Sequence, residues 1–197
     1  MTIHFGKLAL ASISLSIALT MTGCATTSST QAKSLKTTST EANSLVNCKN
    51  LTVAAFGVPN DGKVDASIGV SFAQDIEQRL STDFGPIFDS VAFANTARGM
   101  DSECLLKGNI LKYKPGSKVA RFILIGLGAA SLEGNVTVQD SASGNALMSA
   151  PFDKLWAWGG IAGASKGIED MVKESEASVA ATIAHAKGWN PPPPATK

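Results

Sequence analysis

Apolar side chains recur along this chain with two different periods, and each change of period marks a boundary between elements. Leu51 to Gly57 is a short apolar run that stops at Pro59-Asn60-Asp61-Gly62, which predicts a first strand ending in a loop. Asp65 stands where a helix N-cap belongs. Beyond it Ile68, Phe72, Ile76 and Leu80 repeat every four residues, with Asp75, Glu77, Gln78 and Arg79 mostly on other faces. Gly85-Pro86 ends that helix. Two further strands are predicted at Ile87 to Phe93 and Cys104 to Tyr113, the second alternating imperfectly through Leu106, Gly108, Ile110 and Leu111. After the turn Lys114-Pro115-Gly116-Ser117, residues 131–139 and 145–152 flank Asp140 to Gly144 as a hairpin. A last helix is predicted from Gly159-Gly160 to about Lys187, with Ile161, Ile168, Met171, Val172, Val179 and Ile183 at helical spacing. Its charges at Lys166, Glu169, Asp170, Lys173, Glu174 and Glu176 read as a solvated face, and Gly159, Gly163 and Gly167 suit close packing on the sheet. The order predicts an α+β fold: a largely antiparallel sheet of about five strands, packed by two helices on one face.

One stretch fits neither period. Val119 to Ala130, VARFILIGLGAA, is the most apolar run of the folded part and too short to span a bilayer as a helix. Two readings stand: a buried strand or helix using glycine for close packing, or a surface that meets lipid or a partner.

The chain opens with a different grammar. Met1 to Lys7 carries one Lys and no acid, and Leu8 to Met21 has no charge, the layout of a secretory signal peptide. Met21-Thr22-Gly23-Cys24 resembles the bacterial lipobox, which implies cleavage after residue 23 and acylation of Cys24, with Met21 where the pattern prefers Leu. Several acyl chains on one cysteine anchor a protein stably where a single chain does not. Ala25 rather than Asp after the cysteine implies, by analogy with enteric bacteria, sorting to the outer membrane on its periplasmic side. Eleven of the 23 residues from Ala25 to Asn47 are Ser or Thr, which predicts a flexible tether. The expected organisation is therefore a removed signal over 1–23, lipidated Cys24 and tether over 24–47, one domain over 48–188, and a Pro-rich tail over 189–197.

Charge and chemistry narrow the function classes. Seventeen Lys and Arg against sixteen Asp and Glu leave a net charge of +1, with no basic footprint for nucleic acid. Of the three cysteines, Cys48 and Cys104 remain after acylation of Cys24, and an even pair in an oxidising compartment reads as a disulfide. The alternative is two buried free thiols. Neither has a His or further Cys at ligand spacing, so no metal is predicted. Of two histidines, His4 leaves with the signal and His185 suits the C-terminal end of the last helix. No Gly-x-Ser-x-Gly elbow is present, and the glycine-rich stretches at 126–131 and 160–167 miss the spacing of nucleotide and phosphate loops. No catalytic residue, enzyme activity or cofactor is predicted. Trp156 and Trp158, two apart on a strand, would with Phe152 form an aromatic ledge, the candidate contact surface; the other reading places them over the core.

Leu106-Lys-Gly108-Asn-Ile110-Leu-Lys-Tyr113-Lys-Pro115-Gly116-Ser117, then Arg121, Gly126, Gly128, Val136 to Asp140 and Ser143-Gly144, resembles a family of bacterial lipoproteins, domain of unknown function 4410. Ala146-Leu147 departs from the longer polar strand common in that family. The resemblance implies a periplasmic module of secretion or assembly lipoproteins and no known activity. The expected role is a non-catalytic, outer-membrane-anchored module that binds an envelope protein; the alternative is a carrier of a small amphiphile at Gly126 to Ala130.

Overall fold

The computed structural model describes residues 44–123, 128–157 and 165–191. Cys24, the signal segment and most of the expected tether lie outside them. The elements are β1 (Asn50–Val53), α1 (Ala66–Thr82), β2 (Ser90–Phe93), β3 (Glu103–Lys114), α2 (Lys118–Ile123), β4 (Ala130–Asp140), β5 (Ala146–Trp156) and α3 (Ile168–Ala186). The five strands form one sheet in the order β2-β1-β3-β4-β5.

The sheet is mixed, which corrects the largely antiparallel expectation. β1 runs parallel to both β2 and β3, and only the β3-β4-β5 meander is antiparallel. The reason is the crossover: α1 carries the chain back along the sheet, so β2 re-enters in the direction of β1. Residues 94–102 then cross the opposite face of β1 to deliver β3 on its far side. The alternation of side chains marks strands but carries no sign of their direction.

α1 starts where Asp65 accepts a hydrogen bond from the Ser67 N–H at 2.8 Å, and it buries Phe72, Ile76 and Leu80. It lies so close to the chain after β1 that a Cβ on Gly69 would sit 2.0 Å from the Phe56 carbonyl oxygen. At the centre Phe72 stacks on Phe152 at 5.3 Å between ring centroids and meets Phe56 edge-on at 4.9 Å. Gly134 makes room for the Phe152 ring, since a Cβ there would fall 2.2 Å from Cζ. α3 begins at Ile168, with the Gly167 N–H donating to Asp170 Oδ2 at 2.8 Å, and packs on α1, β4 and β5. Residues 158–164, where the helix is predicted to start, lie outside the described residues.

Order begins before Cys48. Leu45 is fully buried in the core, its N–H reaches the Ala186 carbonyl at 3.4 Å, and Lys187 Nζ donates to the Val46 carbonyl at 2.9 Å. One apolar side chain in a Ser/Thr-rich stretch thus moves the boundary of the folded part from Cys48 back to at least Ser44. Cys48 and Cys104 are disulfide-bonded, with Cα atoms 5.6 Å apart, and tie this entry segment to β3.

Candidate functional site

The aromatic ledge does not form as predicted. Phe152 points into the core against Phe72 and is buried. It falls on the face of β5 that includes Met148 and Ala150, both buried beneath the helices. Trp156 is half-buried on the same face, with Lys166 Nζ 5.0 Å from its ring centroid, a cation–π contact that covers it. Trp158 lies outside the described residues. Residues of one strand parity share a face, and here that face is the covered one.

Exposed apolar surface appears instead on α2. Gly116 and Gly128 both have positive φ, and the Ser117 N–H donates to the Gly128 carbonyl at 2.8 Å, pinching the β3–β4 connection at its base. Ser117 Oγ accepts from the Ala120 N–H at 3.2 Å, in the manner of an N-cap. The helix so started leaves Val119 72%, Phe122 57% and Ile123 66% exposed, and Leu111 on β3 and Leu155 on β5 are 61% and 70% exposed. The apolar run is therefore exposed over Val119 to Ile123 and enters the core only at Ala130, the first residue of β4; Leu124 to Leu127 lie outside the described residues. Covering such side chains is worth about 1.5–3 kcal/mol each when complete, so a group of them on one short helix is a strong contact surface.

A second feature lies between α1 and α3. Glu176 is 1% exposed, and its carboxyl faces that of Asp75, to which it hydrogen-bonds when protonated. Burial, and next the negative Asp75 opposite it on α1, push its carboxyl up to about 7 against the pull of Arg79 and Lys173. A cleft of about 220 Å³ opens there, lined by Ser71, Phe72, Asp75, Tyr113, Val172 and Glu176 among others. Burial, with Glu169 second, raises the Tyr113 hydroxyl above its ordinary range. Sequence reasoning places Glu176 on a solvated face. The signal that it is not lies in its spacing, four residues after Val172 and three before Val179 on the apolar stripe.

The other buried acid is satisfied. Glu103 accepts the backbone N–H groups of Arg98, Gly99 and Met100 at 2.8–3.1 Å and the Thr52 hydroxyl, with Arg98 Nε 3.5 Å away. Burial works to raise its carboxyl, but these hydrogen bonds win and hold it at about 2. This cradle fixes the loop that crosses β1 and is structural. His185 is exposed, with Nδ1 3.0 Å from the Trp189 carbonyl. Among the described residues no three metal-ligating side chains converge, and no helix is long and apolar enough to cross a membrane.

Solved structures of one protein share the fold. Two crystal forms of the PelC dodecamer from Paraburkholderia phytofirmans, one with a point substitution, superpose with TM-scores of 0.53 and 0.52 at 14% and 16% identity. They cover 78% and 71% of this chain and 95% and 92% of PelC. Protein XCC0632 from Xanthomonas campestris, of the DUF330 family, is 12% identical over 71% of this chain and 85% of its own, with a TM-score of 0.46. No curated protein matches this sequence. Residues 34–160 match the family of domain of unknown function 4410, well over half of the sequence, and the chain belongs to that family.

Proposed function

We propose that this chain is a non-catalytic interaction module, held to the periplasmic side of the outer membrane by acylated Cys24, that docks an envelope protein through the apolar side chains of α2. The observation that carries the reading is the exposure of Val119, Phe122 and Ile123 on a helix that the β3–β4 connection holds out from the sheet. An exposed apolar group on an otherwise charge-balanced surface gives affinity without electrostatic steering. The lipobox-like Met21 to Cys24 supports the anchor, and Ala25 supports the outer membrane. Membership of a family of unknown function is consistent with a role in assembly and supplies no reaction.

The test places a photo-cross-linking amino acid at position 122 of the full chain in living cells, with position 135 on the polar face of β4 as the comparison. A defined envelope protein captured from position 122 and absent from position 135 supports the reading. Equal capture from both positions, or none from either, refutes it.

A second reading is favoured by one finding. The PelC structures that share this fold are dodecamers, so the docking partner of α2 can be a second copy of this chain. Native mass spectrometry of the full chain distinguishes them: self-association that Phe122→Ser abolishes assigns the surface to an assembly of like chains.

A further inference from the structure

We propose that, until a protein partner covers it, α2 lies in the headgroup layer of the membrane that holds Cys24, with Val119, Phe122 and Ile123 at the acyl chains and Lys114 and Lys118 at the phosphates. Those three apolar side chains are 57–72% exposed on six residues of helix. A short helix with its apolar side chains in water and basic residues beside them fits a bilayer surface. The apolar groups enter the acyl boundary, and lysine stems carry their ammonium groups back to the phosphates. A bilayer demands no complementary shape, which suits so small a surface.

Charge and reach both favour lipid. Residues 104–132 hold five Lys and Arg and no Asp or Glu, in a chain whose net charge is only +1. Lys112 is engaged by Glu133 at 2.6 Å, whereas Lys114, before the turn into α2, and Lys118, the first residue of α2, are exposed. Basic groups held at an anionic leaflet add attraction to the apolar contact. Lys118 Nζ would stand 3.3 Å from a Cβ on Gly167, which puts α2 beside the start of α3; Glu169 flanks the same glycine and offsets part of the charge. The chain enters the domain at the other end of α3, where the Leu45 N–H reaches the Ala186 carbonyl, and 19 residues of helix make that separation about 28 Å. Twenty residues join Cys24 to Ser44 and extend about 66 Å at most, so an acyl anchor on Cys24 lets α2 reach the same bilayer. The inference shares the acylated Cys24 with the proposed function and does not depend on which protein docks.

The experiment reconstitutes the full acylated chain, without other proteins, in vesicles of phosphatidylethanolamine with phosphatidylglycerol as the minor lipid. Benzoylphenylalanine replaces Phe122 or, for comparison, the exposed Gln78 on α1, and lipid adducts are measured by mass spectrometry after illumination. The proposal expects at least about tenfold more lipid adduct from position 122 than from position 78, the ratio that burial of one phenyl ring supports. Lys114→Gln with Lys118→Gln should lower the yield from position 122 at least about fivefold, and exchanging phosphatidylglycerol for phosphatidylcholine should lower it likewise without altering the protein. Equal yields from the two positions, a yield indifferent to both charge changes, or adducts of position 122 with a second copy of the chain in place of lipid, overturn the proposal. The vesicles hold no partner, so failure here leaves the docking of an envelope protein standing, and failure of capture in cells leaves the lipid contact standing.

Discussion

Two buried glutamates give this protein opposite responses to pH. Glu176 is held at about 7 against an ordinary 4.5 by burial and then by Asp75, so the folded chain keeps a proton that the unfolded chain has released. Stability should therefore fall as pH rises from about 4.5 through 7, and level off above. Glu103 is held at about 2 because its hydrogen bonds outweigh burial, so its contribution is present above 4.5 and lost as pH falls toward 2. Thermal denaturation against pH should show a maximum near pH 5, and Glu176→Gln should flatten its upper side; an unchanged upper side contradicts the assignment. Glu103→Gln puts amide hydrogens in place of one carboxylate oxygen, against either the Arg98 N–H or those of Gly99 and Met100, and should cost about 2–4 kcal/mol in chemical denaturation. At this scale the Asp65 cap and the Cys48/Cys104 pair were legible in the sequence, because local spacing and compartment suffice. Glu176 was not, since a charge is assigned to solvent unless its stripe is checked, and Phe152 was not, since strand parity does not reveal which face the helices cover.

At the scale of elements, periodicity located the first helix and all five strands within a few residues, because each signal is local, whereas the last helix starts at Ile168, about eight residues after the predicted Gly159-Gly160. Strand direction and the β2-β1-β3 order escaped it, since they follow from the crossovers of α1 and of residues 94–102. The short helix α2 was invisible because its apolar side chains do not make a face against anything; the run admitted a core and a surface reading, and Val119, Phe122 and Ile123 stand on the surface. Substitution should separate the two environments. Phe122→Ser and Ile123→Ser should change stability by no more than about 0.5 kcal/mol, whereas Phe152→Ala should cost about 3–5 kcal/mol, both read from urea denaturation. Losses of several kcal/mol from the α2 variants would place those side chains in the core.

For the whole molecule, the fold is a βαβ unit continued into an antiparallel meander, with one face covered by α1 and α3 and the entry segment stapled on by a disulfide. Reducing the bond between Cys48 and Cys104, 56 residues apart, should lower stability by about 3–4 kcal/mol on loop-entropy grounds, measured by denaturation with and without reductant. Leu45 makes the same junction from the apolar side, and Leu45→Ala should cost about 2–4 kcal/mol. The family was legible in the glycines, the Tyr-x-Pro-Gly-Ser turn and the Asp of the hairpin, all positions where backbone geometry constrains the residue. The partner was not, because a contact surface needs only apolar area and no particular motif. The measurement that tests the account most directly is cross-linking in living cells of the wild-type chain beside Cys24→Ser and Phe122→Ser forms, with identification of what is recovered. The account predicts one defined protein recovered by the wild type and lost with either substitution. Equal recovery by all three forms, or recovery by none, would contradict it.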